Sequence, residues 1–336
     1  MIICRETQSP VSGQSPRRDW TMISCRETQS PASRAAAATP ALRRGQGPRR
    51  GDSMRGSRVC GIVGVLLCLT LGVCWASAAD GVGALFQFGV SARSLGVGGA
   101  TAAFSDGAAA STLNPAALGW VRQMGLASLY VDQFGGVSYG ALAFSAPYVG
   151  LAATLVDSGW ISSDASGFRF TAQGLVGAVG IPLGPVSAGA RWRLLRSATP
   201  FAGHGWALDA ALLLDLGAMR IGAVWDAVAS SPMTYDGGEA EAWDSDLRVG
   251  AALTLSPFEG VTWTVTADVS GILYAPLRVV GGVEAWVGAL AARLGWDGQG
   301  PTFGLSVRVS GIEVDWSFTA RPDLGTSHRV SLEVLF

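Results

Sequence analysis

Arg329-Val330-Ser331-Leu332-Glu333-Val334-Leu335-Phe336 ends the sequence, and its reading decides the fold. Val330, Leu332, Val334 and Phe336 fall on one face, Arg329, Ser331 and Glu333 on the other. Successive side chains of a strand point to opposite faces, so this is a strand with one apolar and one polar side. Gly-rich stretches of the same period recur through the last three-quarters of the chain. Their polar faces carry too many charges for a simple sandwich. The pattern predicts an all-β fold, a transmembrane antiparallel β-barrel that is apolar toward lipid and polar toward its lumen. Val330, Leu332, Val334 and Phe336 are expected to be the signal through which barrel-assembly machinery engages the last strand.

Composition supports this reading. The mean hydropathy of the 336 residues is +0.34, yet no stretch after residue 80 is a continuous apolar run of the ~20 residues that a spanning helix needs. A hydrophobic chain without such helices satisfies its backbone in lipid by closing a barrel. The 46 glycines and 12 tryptophans suit bends and membrane interfaces. Every basic residue other than the two histidines is Arg. Cys4, Cys25, Cys60, Cys68 and Cys74 all precede residue 75, so the later chain has no disulfide, thiolate metal site or cysteine nucleophile. No cofactor or metal is expected.

Residues 1–53 are rich in Arg, Ser, Pro and Ala, and Met1 to Pro10 recur almost unchanged as Met22 to Pro31. They read as a disordered or mis-annotated upstream extension, with Met54 as the expected initiator. Residues 54–78 have the form of a secretory signal: Arg55 and Arg58, an apolar Val59–Val73, then Ala76-Ser77-Ala78. A lipidated Cys74 is the weaker reading, because Val73 stands where a small residue is expected. Cleavage there leaves thirteen Arg against twenty-one Asp and Glu, a net charge of −8. That is not the footprint of a nucleic-acid binder. The expected location is the bacterial outer membrane, among its lipids.

Residues 122–336 divide into about fourteen strands: 122–132, 137–146, 148–157, 168–181, 185–196, 204–215, 218–227, 246–256, 260–270, 276–287, 288–296, 302–309, 311–320 and 326–336. An even number suits a bacterial barrel. The longest links, 158–167, 197–203, 228–245 and 321–325, all fall at one end, and tight turns such as Pro182-Leu183-Gly184-Pro185 and Leu216-Gly217 fall at the other. Alternation assigns Arg191, Arg193, Asp209, Arg220, Arg248, Asp268, Arg278, Glu284, Arg293, Arg308, Glu313 and Asp315 to the lumen. Their mixed signs favour cross-strand bracing over a one-sign selectivity ring.

Between signal and strands, residues 79–121 form a Gly/Ala/Ser segment. It contains Ser91-Ala92-Arg93, Leu95-Gly96, Gly98-Gly99-Ala100, Asp106 before a run of small residues, and Asn114-Pro115-Ala116. This resembles the N-terminal signature of the PorV/PorQ-like outer-membrane proteins, which belong with the FadL-type long-chain fatty-acid transporter superfamily. Leu324 to Leu332 also resembles that family's closing strand. Gly107 stands where the family usually has a second acid, and Ala117 replaces its usual Gly. The resemblance implies a fourteen-stranded barrel with a short plug on its periplasmic side. Small residues suit a narrow lumen, Asn-Pro turns the chain, and Gly96, Gly98 and Gly99 permit close approach. The alternative is a first strand and a loop that only closes the barrel floor.

Enzymatic chemistry is not expected. His204 and His328 are the two histidines, at strand ends, and Gly96-x-Gly98 follows no βαβ strand. The acidic stretch from Asp226 to Asp246 lacks the spacing of a calcium loop and reads as solvated. Two functions stay open. The resemblance implies passage of hydrophobic, fatty-acid-like small molecules, with a candidate ligand pocket at Phe86, Phe88, Leu95 and Phe104. The second is an accessory subunit of a secretion or surface-attachment machine, binding a large partner through its loops.

Overall fold

The computed structural model describes residues 82–162, 167–199, 201–273 and 276–336. The upstream extension, the signal sequence and all five cysteines lie outside the described residues.

Strands follow wherever the period-2 pattern holds: β1 (Gly125–Gln133), β2 (Val137–Ala146), β3 (Val149–Ser162), β4 (Gly167–Leu183), β5 (Val186–Thr199), β6 (Gly203–Asp215), β7 (Met219–Tyr235), β8 (Ala240–Glu241), β9 (Asp246–Phe258), β10 (Val261–Ser270), β11 (Arg278–Val287), β12 (Leu290–Trp296), β13 (Pro301–Val309), β14 (Ile312–Arg321) and β15 (Gly325–Leu335). All but β8 pair with both chain neighbours in one antiparallel ring of fourteen. The ring closes where β1 runs against β15, from Gly125 opposite Leu335 to Gln133 opposite Ser327. β8 pairs only with the far end of β7, so β7 passes directly to β9 in the wall. Closure leaves no wall edge unpaired, which lipid requires.

Turns of two or three residues join the strands at one end, the short-turn end. At Leu216-Gly217 the glycine has φ +85°, a conformation that L side chains rarely adopt. At the other end, the loop end, the strands run further than alternation suggests. β3 and β4 continue to Ser162 and from Gly167, and β7 continues to Tyr235. The cause is bulging. The pairing slips between Asp157 and Trp160 and between Leu208 and Ala210, and Ala227 has φ +50°. One extra residue, as between Asp157 and Trp160 or opposite His204–Trp206, swaps the faces; two, as opposite Leu208–Ala210, interrupt the alternation, and both hide the continued strand from a period-2 reading.

The outward face is apolar around the ring, with Leu151 63% and Leu305 55% exposed. Trp192 stands outward at 49% between the inward Arg191 and Arg193, at 3% and 4%. Soluble monomers rarely carry so extensive an apolar surface, whereas lipid is its natural solvent. The inward face is not uniformly polar as expected. From β1 to β4 it is mostly apolar: Leu129, Val131, Tyr139, Ala141, Ala152 and Val176 are buried there, with Ser145 and Thr154 as buried polar exceptions. From β10 to β15 it is polar, with buried Asp268, Glu284, Arg293, Asp315 and Ser331. Both faces of β1–β4 are therefore mostly apolar, toward lipid outside and toward a packed interior inside.

Candidate functional site in the barrel interior

Residues 82–120 lie against the inward face. Their short turns are Val82–Phe86, Ala92–Gly96, Gly107–Ala109, Ala110–Leu113 and Pro115–Trp120. Two of them begin at a capping side chain. Ser91 caps one, its Oγ accepting from Ser94 N at 3.4 Å. Asn114 caps another, accepting from Ala116 N at 3.0 Å ahead of Pro115. Asn114 Nδ2 also donates to the Ala102 carbonyl at 2.5 Å, tying two turns together.

Wall side chains supply the partners that these short turns lack. Ala92 N donates to Ser331 Oγ at 2.9 Å, and Ala108 N to Glu333 Oε1 at 2.8 Å. Thr101 N and Ala102 N both donate to Asp268 Oδ2, at 2.6 and 2.8 Å. Ser187 Oγ donates to the Ala116 carbonyl at 2.6 Å, Thr302 Oγ1 to Gly96 at 3.0 Å, and Tyr139 Oη to Gly89 at 2.8 Å. Wall glycines let the two backbones touch. A Cβ at Gly180 would lie 2.6 Å from the Pro115 oxygen, and one at Gly282 would lie 2.7 Å from Val97 Cα. The contacts span most of the barrel's height. Gly119 lies beside Pro182 and Ser187 at the short-turn end, while Gly98 (φ +79°) meets the Trp296 carbonyl toward the loop end.

Arg93 is the junction between this inner segment and the wall. Its Nε and Nη2 donate to Glu284 Oε2 and Oε1, both at 2.8 Å, and its Nη1 reaches Asp106 at 3.0 Å. The guanidinium also lies 4.5 Å from the Phe104 ring centroid. Glu284 is 1% exposed and also receives Arg293 Nε at 2.6 Å. Of the other motif residues, Leu95 packs on the apolar cluster and Gly99 N donates to the Ser94 carbonyl at 3.0 Å.

The lumen charges largely pair across neighbouring strands. Arg191, directly opposite Asp209, binds it at 2.6 Å and reaches Asp226 at 2.7 Å. Arg193 shares Asp209 at 2.6 Å. Arg293 lies opposite Glu284 and also reaches Asp315 at 3.3 Å, and Arg308 holds Glu313 at 2.5 Å. Arg220 pairs with Asp215 at 3.0 Å near the short turns. Arg248 and Arg278 differ: the first donates to the Leu113 carbonyl at 3.1 Å, the second to the Asp297 carbonyl at 3.0 Å.

Three of the four residues of the candidate ligand pocket share one cluster, and Phe104 lies apart. Phe86 stacks on Trp243 at 6.0 Å and Phe88 lies 5.1 Å from Tyr139, both in one apolar cluster that Leu95 joins. Phe104 packs against a second cluster and lines a separate cavity of about 560 Å³ with Arg93, Arg220, Arg308 and Trp286. Sequence reasoning missed Tyr139, Trp243 and Ser187, and it read Asp226 and Asp246 as solvated, whereas Asp226 binds Arg191 and both line an interior cavity. Alternation places Tyr139 and Ser187 on inward faces, but nothing local says which turn each will meet. On the lipid-facing side a hollow of about 700 Å³ opens where Ser128, Gly140 and Ala153 stand among Tyr130, Leu142, Leu155 and Leu332.

No known protein-family profile and no curated protein matches the chain. Among solved structures it is similar to a Pseudomonas aeruginosa FadL homologue (10% identity, TM-score 0.45, covering 74% of this chain and 98% of that one). It is also similar to the CymD monoaromatic hydrocarbon channel (12%, 0.49, 74% and 98%) and the P. putida toluene transporter TodX (14%, 0.48, 74% and 99%). At these identities and scores the likenesses carry no argument about cargo, and the barrel stands on its own strand register.

Proposed function

We infer that the chain is an outer-membrane barrel that passes hydrophobic small molecules, fatty-acid-like compounds among them, with residues 82–120 as its plug. The carrying observation is the apolar inward wall of β1–β4. Leu129, Val131, Tyr139 and Val176 join Phe86, Phe88 and Trp243 in one cluster inside the barrel. A water-filled pore gains nothing from such a lining, because its lumen is wet. A hydrophobic cargo gains a dry surface on which to move. The lipid-facing hollow lies behind the same strands, separated by one layer of mostly small residues. The resemblance of the 89–119 motif to FadL-type transporters points the same way. On this reading residues 82–120 occupy the path, so passage requires part of the segment to shift, and its hydrogen bonds to Ser331, Asp268 and Glu333 set how readily it does.

The test is uptake of a labelled long-chain fatty acid and of toluene by cells carrying the barrel, against cells without it. Uptake of at least one above background is expected, and Val131→Asp is expected to abolish it while the folded barrel persists. Equal uptake with and without the barrel would refute the proposal.

A further inference from the structure

At the loop end of the lumen a cavity of about 150 Å³ is bounded by charges of both signs, only some of which pair with one another. Asp226 of β7 and Asp246 of β9 are direct cross-strand partners. Like charges so placed are destabilising unless a positive group intervenes. Arg191 provides one for Asp226. Asp246 instead accepts the Gly271 amide on Oδ2 at 2.8 Å and buries Oδ1 with no partner among the described residues.

The positive charges are only loosely answered: Asp268 acts on Arg248 and Asp297 on Arg278, neither carboxylate within ion-pair distance. Arg248 donates to a backbone carbonyl and buries Nε with no partner among the described residues. Arg278 donates only to the carbonyl of Asp297. Neither forms an ion pair with a carboxylate among the described residues. Arg193, 4% exposed, also leaves Nε without a partner. Asp246 and Arg248 do not relieve one another. They project inward from one strand two residues apart, about 7 Å along it, with their side chains side by side. Phe86 and Leu113 add an apolar patch to the same lining.

We propose that this cavity binds a small zwitterion of the α-amino-acid type. Its carboxylate sits on Arg248 and Arg278, its ammonium on Asp246, and its short side chain on Phe86 and Leu113. Asp246, Arg248 and Arg278 are half-buried, and the buried, unpartnered atoms of Asp246 and Arg248 are costly unless paired. A lone anion would leave Asp246 uncompensated, and a lone cation would leave the arginines so. A zwitterion answers both while adding no net charge, and the volume restricts it to a small side chain. The site touches the interior apolar cluster at Phe86 and Leu113 but takes no residue of the β1–β4 wall, and it does not rest on passage of hydrophobic molecules.

Isothermal titration of the purified barrel in detergent tests this, with L-alanine as probe and propionate and ethylammonium as its two halves at matched ionic strength. Alanine is expected to bind saturably, with each half-ligand weaker by about tenfold or more, the loss of a charge-assisted hydrogen bond. Asp246→Asn and Arg278→Met are each expected to weaken alanine by about the same factor, the barrel remaining folded by its heat-dependent gel mobility. Propionate or ethylammonium binding as tightly as alanine would overturn the proposal, as would the absence of saturable alanine binding. The half-ligand comparison on the unaltered protein decides the question even where a variant fails to fold.

Discussion

Arg93→Met should unseat the inner segment while leaving the barrel closed. The lost contacts are specific. Two bonds of 2.8 Å to Glu284 go, and Glu284 is 1% exposed. Removing one partner of a buried pair costs about 3–5 kcal/mol. Arg293 stays on Glu284 at 2.6 Å, so the low end applies. Asp106 is 60% exposed, and its pair adds less than about 1 kcal/mol. The contact with Phe104 adds roughly 0.5–1 kcal/mol. The sum is near 4 kcal/mol, a factor of about 10³ in the seating equilibrium at 1.4 kcal/mol per decade. Planar-bilayer recording reads this directly: long closed intervals in the unaltered protein, frequent openings in Arg93→Met. Limited proteolysis should nick residues 97–107 in the variant and not in the parent. Glu284→Gln should have a comparable effect and Asp106→Asn a small one. Unchanged conductance and proteolysis in a folded Arg93→Met barrel would refute the reasoning. Loss of the folded barrel itself would show that Arg93 braces the wall rather than seating the segment.

Gly180→Val should displace the Pro115–Trp120 turn, because even its Cβ would lie 2.6 Å from the Pro115 oxygen; conductance would rise, with unchanged mobility of the folded barrel on a gel. Asp209→Asn removes the carboxylate shared by Arg191, Arg193 and the Ala227 amide, and the cost should be about 3–5 kcal/mol. That loss should show as a lower unfolding midpoint, partly restored in Asp209→Asn/Arg193→Met, where one orphaned charge is gone. Phe336→Ala should lower the yield of assembled barrel in cells with little change in thermal stability once folded. The Phe336 backbone holds Met124 in both directions, at 3.1 and 2.9 Å, whatever the side chain, and the ring itself is 60% exposed. An equal fall in yield and in midpoint would place its role in the folded state instead.

The sequence by itself determined the strands, their faces and their number. Alternation is a local property of the backbone, so Arg191 and Arg193 inward with Trp192 outward could be read from three adjacent letters. It also determined where the chain turns, because Gly and Pro at positions such as 182–185 act on their own dihedrals. Where a bulge inserts residues, as beside Ala227, that local code breaks and the loop-end extension of β7 goes unread. Only the tertiary structure decided what meets inside. Arg93 and Glu284 are 191 residues apart, and Ala92 finds Ser331 across 239. Such pairs depend on ring closure, on the register of every intervening strand pair and on the seat of the inner segment, none of which is written in a window of ten residues. The apolar inward wall of β1–β4 escaped for a related reason. A two-residue period says that faces alternate, but when both are apolar it cannot say that the inner one is dry. The stranded charges of Asp246, Arg248 and Arg278 needed the same knowledge, since a charge is unpaired only relative to everything folded around it.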